Sequence, residues 1–196
     1  MTPPAAIVLG AGASRRMGRP KIAIPWRGRS FARHVCDRAR ACALAPIVLV
    51  WGASPPPADV EGLAGLVVRH NPHWRRGPFS SLQTGLHAVA AGSAVLVLTV
   101  DRPHLRPDTL AALLHAHRQD ARAVVQPIRD GRHGHPVLLP AWVADEARTA
   151  PATGTLRDLL RRPDVAPARR FVPVDDPAVL DNLDRPEDLS KLVDPC

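Results

Sequence analysis

The chain contains no tyrosine, and its aromatic residues amount to three phenylalanines and four tryptophans, 4% of the sequence. So few stacking surfaces argue against a protein that grips nucleic acid by its bases. Cysteine is scarce as well. Cys36, Cys42 and Cys196 are odd in number and show no CxxC spacing, so neither a disulfide framework nor a zinc knuckle is implied, and a reducing, cytoplasmic setting fits. No apolar run approaches the roughly 18 residues needed to span a bilayer, and the opening MTPPAAIVLG carries no basic n-region of a secretory signal. A membrane partner is therefore not expected. Acidic residues number 18 against 26 lysines and arginines, a formal charge of +8, yet the arginines are scattered in pairs at 15, 75, 161 and 169. A nucleic-acid partner is not expected either, and the basic excess near one loop suits a small polyanion.

At 196 residues, 45% of them hydrophobic, the chain is long enough for one domain with a substantial core. Short apolar runs alternate with helical spacing, the pattern of a mostly parallel sheet covered by helices. The runs AAIVL, PIVLVW (46–51), LVVRH (66–70), AVLVLTVD (94–101) and AVVQP (123–127) read as strands. Between them, Phe31, Val35, Ala39 and Cys42 keep helical spacing, as do Leu82, Leu86, Val89 and Ala90, and Leu110, Leu113 and Leu114. Strands apolar along their whole length suit a sheet buried on both faces. After residue 128 the alternation loosens into a turn, a short strand and helices near 141–149 and 155–162, expected to form a lid or substrate-binding face. The expected organisation is one three-layer α/β/α domain over 1–196, with a nucleotide-binding part (1–127) and an acceptor-binding part (128–196).

Directly after the first strand comes GAGASRRMGRPK, Gly10 to Lys21. A strand ending in a glycine-rich turn brings backbone N–H groups close to an anion, and phosphate is the usual guest. The dinucleotide fingerprint fails, because Arg15 occupies the third glycine position and no acid lies between Pro20 and Ser30. The P-loop fails as well: five residues separate Gly12 from Gly18, and Ile22 follows Lys21 where Ser or Thr is required. A longer, more basic loop remains, with Arg15, Arg16, Arg19 and Lys21 available to a polyphosphate; the bland alternative is a flexible surface turn.

Ligands of open α/β sheets bind beyond the carboxyl ends of the strands. Asp101, which follows VLVLTV, is placed at such an end. A triphosphate normally travels with Mg²⁺, which takes one or two carboxylates together with phosphate oxygens and water. A second acidic stretch, VLDNLDRPEDL, offers Asp184 and Asn182 for a metal or substrate contact, whereas Glu187 and Asp188 read as helix-start acids.

Five ordered segments carry a resemblance. LGAGASRRMGRPK (9–21), PFSSLQTGL (78–86), VDRP (100–103), GRHGHPVLL (131–139) and NLDRPEDL (182–189) are similar to LAAGxSxRMGxxK, GxxSSLxxGL, DxP, GxRGHPVLL and DIDTPEDL of the MobA-like nucleotidyltransferases, above all the molybdenum cofactor cytidylyltransferase branch. The resemblance implies a Rossmann-like fold and transfer of a nucleotidyl group, CMP from CTP, to a phosphorylated acceptor of molybdopterin type, with Mg²⁺ as cofactor and release of pyrophosphate. It implies catalytic roles for Arg16, Lys21 and Asp101, and Asp101 and Asp184 as metal ligands. The nucleotide would meet Leu9, Ala11, Gly12, Ser14, Arg16, Lys21, Ser80, Ser81 and Gly85, and the acceptor His135, Arg157 and Asn182. A recipient molybdoenzyme is a further partner that it implies.

Several positions depart from the pattern. Gly10 stands where the cytidylyltransferases carry alanine, and Ala11 where the guanylyl branch carries glycine. His133 replaces an arginine, Asn182 an aspartate, and ATGTLRDLL (152–160) stands in place of a GDxGAR segment. A transferase for another phosphorylated acceptor, or a cofactor carrier with little turnover, are the alternatives.

Overall fold

Residues 2–192 are described by a computed structural model, so Cys196 lies outside the described residues. The apolar runs form the strands β1 (Ala5–Leu9), β4 (Ile47–Trp51), β5 (Leu66–His70), β6 (Val95–Thr99) and β7 (Val124–Arg129). Two short strands, β2 (Pro25–Trp26) and β3 (Arg29–Ser30), pair in a separate hairpin. With β9 (Val137–Leu139) and β10 (Arg169–Pro173), the main sheet runs β10-β7-β9-β6-β1-β4-β5, and β8 (Arg132–His133) is hydrogen-bonded to β7. Strand β9 lies antiparallel between β6 and β7, while β10 closes one edge parallel to β7.

Alternation along the strands divides the interior in two. Ala6 and Val8 face α1 (Phe31–Ala41) and α3 (Pro107–Gln119), whereas Ala5 and Ile7 face α2 (Pro78–Leu86), α4 (Ala141–Thr149) and α5 (Leu156–Arg161). The three-layer expectation is met. Several boundaries differ. Strand β10, sequence RRFVP, was not expected, because an edge strand carrying two arginines lacks the apolar signature of its buried neighbours. Helix α2 ends at Leu86, and Val89 packs beyond it in the loop. In the segment that departs from GDxGAR, Thr155 and Asp158 form a capping box that starts α5.

The chain passes from β1 to β4 and β5 on one side, then returns to β6 on the other. The sheet therefore changes direction at the C-terminal end of β1, where a crevice opens between diverging connections. Leu9 lies opposite Thr99 in that register, which brings the glycine loop and Asp101 to one mouth.

Candidate active site

The loop after β1 is built rather than slack. It folds into two 3-10 turns, Arg15–Met17 and Lys21–Ala23, and the Ser14 hydroxyl accepts from the Lys21 backbone N–H at 3.0 Å, closing the segment between them. Ser14 and Gly18 have left-handed backbones, with φ of 52° and 71°. Met17, Ile24 and Phe31 form a third small core with Leu183, against which Leu189 and Leu192 also pack. Apolar contact thus fastens the first motif to the last, far apart in sequence but adjacent in space.

That staple sets the electrostatics. Arg16 Nη2 donates to Asp184 Oδ2 at 2.6 Å, and Lys21 Nζ donates to Asp184 Oδ1 while lying 4.0 Å from Asp101 Oδ2. Lys21 is 13% exposed, so its ammonium sits in a partly dried setting where charge is weakly screened. Its hydrogen bond, reinforced by the field of Arg16, holds the Asp184 carboxyl below the usual carboxylate range. Asp101 Oδ1 accepts from Thr99 Oγ1 and, at 3.0 Å, from Arg102 Nη1. Two carboxylates therefore converge on one cation at the mouth of the glycine loop.

A cleft of about 500 Å³ opens there. Leu9, Ala11, Gly12, Ser14, Arg16 and Lys21 form one wall, and Ser81, Asp101 and Asp184 also line it. The start of α2 enters from the side: Gly77, at φ 105° and accessible mainly to glycine, precedes Pro78 at the first helical position. The positive end of a nine-residue helix dipole thus faces the same space as the loop amides.

Five of the expected residues lie outside the cleft wall. Gly85 faces β1, where an added Cβ would come within 2.6 Å of Ile7 Cγ2, so it permits close helix–strand packing. The Ser80 hydroxyl donates to Gly77 O at 2.8 Å and accepts from the Asn71 amide, serving the helix start rather than the cleft. Asn182 accepts from Arg102 Nη2 at 2.7 Å, and Arg157 is exposed on α5. His135 borders a small void beside Thr99 and Arg102. Its backbone N–H donates to Val179 O at 2.9 Å, its ring Nδ1 has no hydrogen-bond partner among the described residues, and burial, aided by Arg102, lowers its pKa to about 4. The imidazole is held neutral.

Sequence reasoning missed Thr99, Trp74 and Arg75 on the wall. Trp74 packs so closely on Gly52 that a Cβ there would lie 2.6 Å from the Trp74 Cβ and 2.9 Å from the Ala11 carbonyl oxygen. The Arg75 guanidinium lies 4.4 Å above the Trp74 ring. The signal was HWRRG immediately before the helix start, but only the fold brings Gly52 beneath it. Gly10 also has a packing cause: an added Cβ would meet Ile22 Cδ1 at 2.9 Å and Val100 Cγ1 at 3.2 Å.

Among the described residues no group of three or more His, Cys, Asp or Glu side chains gathers into an all-protein metal cage. Two hard oxygen ligands at a phosphate-type loop suit Mg²⁺, which draws its other ligands from phosphate and water.

The sequence profile of the MobA-like NTP transferase domain matches residues 6–168. The chain belongs to this family. Among its MobA-like relatives, a molybdenum cofactor guanylyltransferase of Rhizobium meliloti is 33% identical over 160 residues, covering 74% of this chain and 71% of its own. The molybdenum cofactor cytidylyltransferase of Escherichia coli is 22% identical but spans 93% of this chain and 91% of its own. The nicotine blue oxidoreductase of Paenarthrobacter nicotinovorans is 32% identical over 145 residues, 69% of this chain and 70% of its own. In structure, Rv0371c of Mycobacterium tuberculosis superposes over the full length of both chains with a TM-score of 0.79 at 23% identity, which shows a shared fold. This MobA-like chain is a nucleotidyltransferase, and among its described residues no helix is long and apolar enough to cross a membrane.

Proposed function

We propose that the protein is a Mg²⁺-dependent enzyme that transfers CMP from CTP to the phosphate of a molybdopterin-type cofactor and releases pyrophosphate. The observation that carries the reading is Lys21 bracketed by Asp101 and Asp184 where the glycine loop meets the start of α2. Loop amides and the α2 N-terminus bind the triphosphate, and Arg16 and Lys21 exchange their bonds with Asp184 for phosphate oxygens. Asp101 and Asp184 would hold Mg²⁺, which supplies charge neutralisation on the reacting phosphates. A phosphate monoester is already anionic near neutral pH and needs no general base, which agrees with the position of His135 outside the cleft wall. CTP is favoured by the relative named a cytidylyltransferase, which matches nearly the whole chain, and by Ala11, which stands where the guanylyl branch carries glycine.

Pyrophosphate release by the purified protein with Mg²⁺ and each of CTP, GTP, ATP and UTP, with and without molybdopterin, tests this. Release with CTP that requires the pterin is expected. Release with GTP in its place would move the protein to the guanylyl activity named for the Rhizobium meliloti relative. Release that ignores the pterin but responds to another phosphate monoester would replace the acceptor. The relative named an oxidoreductase motivates one control, consumption of NADPH with an oxidised dye, expected to be negative.

A further inference from the structure

Arg102 is a charged residue in a place where packing alone would accept an apolar one. Its side chain is 8% exposed at the turn that leaves β6. Burying a guanidinium carries a large desolvation cost, and a hydrophobic residue of similar size often serves stability as well or better. The hydrogen bonds it makes are informative. Nη1 donates to Asp101 Oδ1 at 3.0 Å and to Thr99 Oγ1 at 2.7 Å, and Nη2 donates to Asn182 Oδ1 at 2.7 Å. Nε is buried without a hydrogen-bond partner among the described residues. Among the described residues every hydrogen bond of the guanidinium therefore goes to the strand end that carries Asp101 or to the segment that carries Asp184.

The consequence for Asp101 is orientational. With Oδ1 held by Arg102 and by Thr99, the other oxygen is left toward the cleft, 4.0 Å from Lys21 Nζ. On the opposite side, Asn182 is two residues from Asp184, and the Asp184 N–H donates to the Asn182 carbonyl oxygen at 3.0 Å. The planar fork thus spans the two carboxylate-bearing segments and fixes their separation, a geometry that a lysine ammonium does not reproduce. The amide at 182 fits this role, because it accepts a hydrogen bond without competing for the guanidinium as a second carboxylate would.

We propose that Arg102 is a positioning residue: it sets Asp101 and Asp184 for a divalent cation that it does not itself touch. The proposal rests on the reading of that pair as the metal site. The test is a titration of the full-length protein with MnCl₂, free Mn²⁺ being counted by electron paramagnetic resonance, on the wild type, Asp101→Asn, Arg102→Met and Asn182→Ala. Loss of an outer-shell partner commonly weakens a metal site about 10–100-fold, and Arg102→Met is expected to raise the Mn²⁺ Kd within that range. Asn182→Ala, which leaves the guanidinium and its contacts to Asp101 and Thr99 in place, is expected to raise it less, and reads the proposal if Arg102→Met does not fold. A folded Arg102→Met with the wild-type Kd, or an Asn182→Ala with the wild-type Kd, overturns the positioning role while leaving the metal site standing. A wild type that binds no Mn²⁺, or an Asp101→Asn that binds it as the wild type does, overturns the metal reading and this proposal with it.

Discussion

On the proposed reading Asp101 would hold the metal and Lys21 the phosphate, so substitutions at the two are expected to separate the two roles. Asp101→Asn keeps an acceptor for Arg102 and Thr99 but removes the charge that faces the cleft. Turnover measured by pyrophosphate release is expected to fall by about 10²–10³-fold, the scale of losing one preorganised electrostatic group, with an unchanged far-ultraviolet circular dichroism spectrum. Lys21→Met removes the donor that holds Asp184 low. Its carboxyl titration, followed by ¹³C NMR, is then expected to move up toward the ordinary aspartate range, and the half-saturating nucleotide concentration to rise. The same contact has a stability consequence of definite sign. Because the native Asp184 pKa lies below its unfolded value, the contribution is complete above the unfolded pKa of about 3.9 and is lost as the pH falls through the native value.

His135 gives a second pH signature with a wider window. Its pKa is lowered from 6.5 to about 4, chiefly by burial. Well above pH 6.5 both native and unfolded chains carry it uncharged. As the pH falls from 6.5 toward 4, the unfolded chain takes up a proton that the native chain refuses, so stability declines across that interval and the slope levels below it. Urea unfolding at a series of pH values is expected to show this decline, and His135→Asn to flatten it. An unchanged slope in the variant would assign the decline to other groups.

At the scale of elements, the face of a residue decides what it does, and here the amino-acid sequence was partly silent. The central strands were legible because both of their faces are buried, so that every residue had to be apolar. Strand β10 was not, because its edge position tolerates Arg169 and Arg170. The glycine loop and Asp101 were legible because a strand end is a one-dimensional signal. Trp74, Arg75 and Thr99 were not, since their approach to the cleft depends on Gly52 lying beneath Trp74 and on the register of β1 with β6. Gly85 shows the converse: its motif suggested the nucleotide, and the structure turns it toward Ile7. Gly85→Ala is therefore expected to destabilise by about 1–3 kcal/mol through overpacking of α2 on β1, read from the urea midpoint. Its effect on nucleotide half-saturation is expected to be small beside that of Lys21→Met.

Over the whole molecule, the matched family region ends at residue 168, yet the cleft is completed by a carboxylate beyond it. What brings Asp184 there is the third core, in which Leu183 is fully buried against residues of the glycine loop and α1. The main sheet and its two helical layers do not depend on that cluster, since the other two cores account for the packing of β1, β4, β6 and β7. Stability of the sheet and completeness of the site are thus separable. Leu183→Ala leaves a cavity beside Met17 and Phe31, for which large-to-small changes cost about 2–5 kcal/mol when they act on a cooperative core. Here the loss is expected to fall on the docking of residues 183–192 more than on global unfolding. Hydrogen exchange should accordingly quicken at Lys21 and Asp184, whose N–H groups bond Ser14 Oγ and Asp188 Oδ2, while the amides of β1 and β6 keep their protection. Turnover should fall with them, because Arg16 and Lys21 lose the partner that orders them. Uniform loss of protection across β1 and β6 would instead make the third core part of the global fold.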